Sequence, residues 1–140
     1  MPERPMVVPF AAFFGLVVAA EDLYLAWLLL TPETGWDAFA LVPAFLAVLA
    51  VAAAVLVHLG RARSWLLLAV AAAVPLAGLL VLTVFFAALG GGLAFWSGVL
   101  LMVGPLTALV LALRRPVREW TRPLRANRSP VGRRAAGSAR

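Results

Sequence analysis

The chain has 140 residues, enough for one domain; 64% are hydrophobic and only 13% charged, with a mean hydropathy of +1.01. Soluble domains are about half apolar and about a quarter charged, so this composition excludes a water-soluble globule and points to a membrane protein. The net charge of +6 comes from arginine alone; without cysteine there is no material for disulfides or thiol catalysis, and with one histidine, His58, an all-protein transition-metal site is not expected.

The first apolar run covers residues 7–30, enough to cross a bilayer core that needs about 20 apolar residues per helix. Within it stands "AAEDLYLA" at 19–26, which places Glu21 and Asp22 side by side. Near a helix centre an aspartate costs about 2.5–3.5 kcal/mol, whereas Leu, Phe and Val each contribute about −0.3 to −0.6 kcal/mol. The 13 Leu, Phe and Val residues of this run therefore supply about −4 to −8 kcal/mol, which two acids nearly offset. At least one of the pair is expected to carry its proton at pH 7, since burial and a neighbouring like charge both disfavour the ionised form.

At about 100° per residue, Ala11, Gly15, Ala19, Asp22 and Ala26 form one narrow stripe of small residues with Asp22 in its middle, a predicted helix-packing face. Glu21 falls about 100° further round, near Phe14, Leu25 and Leu28, at the margin of that face. The "VAA" at 18–20 also fits a leader cleavage site, but the apolar run resumes as "LYLAWLLL", so an uncleaved first span is expected.

Three further spans follow, at 38–59, 65–89 and 93–113, separated by the turn-forming segments "TPETGWD", "GRARS" and "GGG". These short connections predict an all-α, polytopic membrane protein, an antiparallel up-down bundle of four transmembrane helices spanning 1–113. Pro43 lies near the start of the second span, while Pro75 and Pro105 stand well inside the third and fourth and are expected to kink them. The glycine run would suggest a phosphate loop only between a strand and a helix, so that reading is rejected. Counted from the outer ends, Asp22 lies level with Leu46 and Ala47, with Val81–Thr83, and with Leu101 and Met102. No arginine or lysine lies in any span, so the candidate intramembrane proton, cation or partner site is Asp22, Glu21 and the hydroxyl of Thr83.

The segment 114–140 is a basic tail, expected to be cytoplasmic and partly disordered. Its start, "RRPVREWTRPLR", places Val117, Trp120 and Leu124 on one helical face, cut by Pro123, with arginines around the rest. Arg114, Arg115, Arg118, Trp120 and Arg122 are the predicted contacts to the lipid surface and its anionic head groups; aromatic interleaving is too sparse to predict nucleic-acid binding.

Arginine placement sets the orientation. The first and third loops have none, and the first carries Glu33 and Asp37; the second has Arg61 and Arg63, the tail has nine, and Arg4 precedes the first span. Both termini are therefore expected in the cytoplasm of a bacterial cell, with the bundle in the inner membrane. Trp27, Trp36 and Trp96 then fall at the outer interface and Trp65 and Trp120 at the inner one, as an aromatic belt requires.

A first-helix acid, "RARSW" opening the third helix and "ALRRPVREW" leaving the fourth give a layout that resembles the small uncharacterised four-helix integral membrane proteins of actinobacteria. The resemblance covers most of the chain and implies a fold but no activity. The first-helix glutamate and "FWSG" at 95–98 are also similar to features of the small multidrug resistance transporters, but here the tryptophan–glycine pair lies on the fourth helix, and the arginine bias departs from their dual topology.

The expected function is that of a non-enzymatic accessory or assembly subunit, without cofactor or metal, packing against a membrane-protein partner or a second copy of itself. The alternative is a small proton- or cation-coupled transporter that uses Asp22 or Glu21. An enzyme is not expected, because no Ser/His/Asp, metal or thiol set is present.

Overall fold

The computed structural model describes residues 5–30 and 38–122. Arg4, Glu33, Trp36, Asp37, Leu124 and the tail beyond residue 122 lie outside the described residues. Among those described, every regular element is helical: α1 (Val7–Leu29), a 3-10 turn (Ala38–Ala40), α2 (Leu41–His58), α3 (Ser64–Ala88), α4 (Gly92–Leu101), α5 (Val103–Leu113) and α6 (Arg115–Trp120). Four stretches are long and apolar enough to cross a membrane: Val7–Leu29, Ala38–His58, Ser64–Ala88 and Gly92–Leu113.

Glycine placement explains two of the helix ends. After α2, Gly60 takes φ +66°, its amide donates to the Val57 carbonyl, and Arg61 donates to Leu56. After α3, Gly90 takes φ +77° and donates to Ala87, while Gly91 donates to Phe86. Both are Schellman ends, in which a left-handed residue lets its own amide and the next one satisfy carbonyls that the helix leaves open. Prolines account for other features. Pro9 and Pro43 stand at the third positions of α1 and α2, where no helical donor is lost. α3 runs through Pro75 as one helix. The fourth span, Gly92–Leu113, stays one stretch: Met102 between α4 and α5 is a single turn residue with helical backbone, and Pro105 just beyond it offers no amide to the Leu101 carbonyl.

α1 packs along α2 and α5, α2 along α3, and α3 along α4 and α5. The buried core is built from small side chains, with Ala11, Ala50, Ala53, Ala71, Ala72, Ala108 and Ala112 all at 0% exposure. Large apolar side chains such as Phe10, Phe13, Phe45, Val81 and Leu100 face outward. Small residues inside allow helix backbones to approach, and large residues outside suit hydrocarbon. The closest approach is at Gly15, where a Cβ would lie 2.9 Å from Leu68 Cδ1 and 3.0 Å from Ala54 Cβ.

Candidate functional site

The acidic pair sits late on α1, two turns before its end. Asp22 is 2% exposed and shares the buried side of α1 with Ala11, Gly15, Ala19 and Ala26. Its Oδ2 is buried and accepts no hydrogen bond from the described residues. Glu21, one residue back and about 100° round the helix, is half-buried and turns toward α5. A Cβ on Gly104 would lie 2.6 Å from both of its carboxylate oxygens, so the carboxyl rests directly on the glycine backbone. Its Oε2 is also buried without a hydrogen-bond partner among the described residues.

Gly104 belongs to the first turn of α5, two residues after Met102. The Leu101 carbonyl, three residues before Gly104 and on the same face, lacks the donor that Pro105 cannot supply. Pro105 itself is buried beside Gly104. Two adjacent carboxyls, each with a buried oxygen that accepts no hydrogen bond among the described residues, are chemistry suited to a proton or a hard cation.

Thr83, chosen from sequence for its depth, is buried at 5% exposure but is directed elsewhere. Its hydroxyl packs on Gly98 of α4, where any Cβ would collide with it. No hydrogen bond among the described residues joins Thr83 to either acid. The sequence marks Pro105 only as a kink and Gly98 only within "FWSG", and it gives Gly104 no role. Their signal was the small-residue pattern of "SGVLLMVGP", which reads equally well as ordinary helix packing.

At the other end, α6 folds back on the bundle. Val117 is 0% exposed and belongs to the common core; Trp120 packs against that core, with its indole over Gly60. The apolar face of this segment is thus covered by protein, while Arg114, Arg115, Arg118 and Arg122 are exposed. Arg115 pairs with Glu119 at 2.8 Å, and the Arg118 guanidinium lies 4.9 Å from the centre of a Trp65 ring.

Comparison with protein-family models, with curated proteins and with solved structures finds no match to this chain.

Proposed function

We propose that the chain is a multi-pass protein of the cell inner membrane, an antiparallel up-down bundle with both termini cytoplasmic, that works as a small proton- or cation-coupled transporter. The observation that carries this reading is Asp22, buried inside its own chain with Oδ2 accepting no hydrogen bond from the described residues. An unpaired carboxylate is costly in an apolar interior, and a proton or a cation is the completion this reading assigns to it. No base in any span can do so. Glu21, with its carboxyl against Gly104 and its Oε2 buried without a hydrogen-bond partner among the described residues, supports the same reading.

An acid meant for a partner's basic helix would have to reach the outer surface of the bundle, which Asp22 does not. The reading is non-enzymatic and calls for no organic cofactor. It is tested by the melting temperature of the purified chain in sodium, potassium and choline chloride at several pH values. Stabilisation by one small cation or by protons is expected, with its loss in the double variant Glu21→Gln/Asp22→Asn. An unchanged response in that variant would remove the site.

A second reading, an accessory or assembly subunit on a membrane-protein partner or a second copy, is favoured by α4. None of its ten residues is buried, and Leu93, Trp96 and Leu100 are among the most exposed side chains of the chain. Native mass spectrometry of mild membrane extracts tests it: a chain that is always recovered alone contradicts it.

A further inference from the structure

Two segments far apart in sequence meet where α2 gives way to α3. The Arg63 amide donates to the Thr121 carbonyl at 2.8 Å, the Trp120 indole covers Gly60, and the Arg118 guanidinium stacks over Trp65. Thr121, like Val117, is 0% exposed, and its hydroxyl donates to the Val117 carbonyl at 3.0 Å. α6 is therefore a strap with its apolar side fixed to the bundle. The side left open, together with the α2–α3 connection, presents Arg61, Arg63, Arg118 and Arg122, all exposed.

These four arginines have no carboxylate within ion-pair distance among the described residues, because Glu119 is engaged by Arg115. The exposed side chains of Leu59, Leu66 and Leu113 adjoin them in sequence or at the end of α5, so the guanidinium groups stand where the outward apolar surface stops. A phosphate on a hydrocarbon anchor matches both parts of that surface, and a free phosphate matches only one. Arginine holds phosphate by paired parallel hydrogen bonds, and a backbone already fixed by the strap lowers the ordering cost of binding.

We infer that Arg61, Arg63, Arg118 and Arg122 form a preformed binding surface for the phosphate head group of an anionic phospholipid. The strap places the four groups together, and the tail beyond it is not required.

Native mass spectrometry of the full chain in mixed phosphatidylglycerol and phosphatidylcholine tests this. The chain is expected to retain the anionic lipid roughly tenfold or more over the zwitterionic one. Arg61→Gln/Arg63→Gln/Arg118→Gln/Arg122→Gln loses that preference. Removing the same charge from the tail, as Arg125→Gln/Arg128→Gln/Arg133→Gln/Arg134→Gln, keeps it. Trp120→Ala, with every arginine in place, weakens it several-fold by releasing the strap. If the fourfold strap variant does not fold, the single variants Arg63→Gln and Arg122→Gln carry the test, each losing about fivefold. Equal retention of the two lipids by the parent chain, or the same loss in both fourfold variants, overturns the inference. Inorganic phosphate that displaces the lipid at equal concentration overturns the lipid assignment.

Discussion

The Glu21 carboxyl of α1 rests on the backbone of Gly104 in α5, so close that a methyl group at position 104 would lie 2.6 Å from both of its oxygens. The atoms in the way are the far end of a flexible side chain. Gly104→Ala therefore moves the carboxyl and leaves the helix contact intact. The added helix propensity of alanine, about 0.5–1 kcal/mol, offsets most of the cost of a new Glu21 rotamer. The expected outcome is a melting temperature within a few degrees of the parent and a much weakened proton or cation response. A large loss of stability with the response intact would mean that Glu21 only fills space.

The seat of Thr83 on Gly98 should behave in the opposite way. Thr83 is short and β-branched, and its hydroxyl cannot swing clear of a new Cβ. Gly98→Ala is expected to destabilise the chain by about 1–3 kcal/mol through overpacking. Thr83→Ala in the same chain should recover most of that loss, a coupling of about 0.5–3 kcal/mol between touching residues. Unfolding curves of the four members of this cycle in one detergent provide the check; additive effects would contradict the contact.

Pro105→Ala supplies an amide for the Leu101 carbonyl and removes the ring from the interior of the fourth span. The variant is expected to melt higher and to bind its ion more weakly, the usual exchange where function uses an irregular backbone. Distances between spin labels on α4 and α5 follow any change in the course of the span. A variant with undiminished ion response would separate Pro105 from the site.

At the strap, Gly60 has a left-handed backbone and a rigid indole against it, with Trp120 Nε1 2.9 Å from where a Cβ would be. Gly60→Ala meets both obstacles and is expected to cost about 1–2 kcal/mol from the backbone alone. Trp120→Ala releases the strap instead. Hydrogen exchange at the Arg63 amide, which donates to Thr121, should accelerate in both variants while exchange in the middle of α3 stays slow.

Apolar length and turn chemistry made the helices legible: four runs of sufficient length, with glycines where α2 and α3 end in left-handed turns. Prolines were less transparent. Pro75 and Pro105 look alike in sequence, yet α3 runs through the first without a break in its helix, while the second follows a single turn residue, Met102, in a span that stays one stretch. Small residues around Asp22 placed it inside, because only a closely packed face has that composition. Glu21 on Gly104 could not be read, since it depends on how α5 is rotated against α1. The strap met a similar limit: Val117 and Trp120 repeat at helical spacing whether lipid or protein covers them, and here protein does.

The central claim is that the acids of α1 are completed by a proton or a cation that the chain carries across the membrane. The most direct measurement is the internal pH of vesicles containing the purified chain after an imposed pH or sodium gradient. The parent chain is expected to dissipate the gradient, Glu21→Gln to do so with altered ion preference, and Asp22→Asn and the double variant to be silent. Flux that persists in Asp22→Asn and in the double variant would contradict the claim.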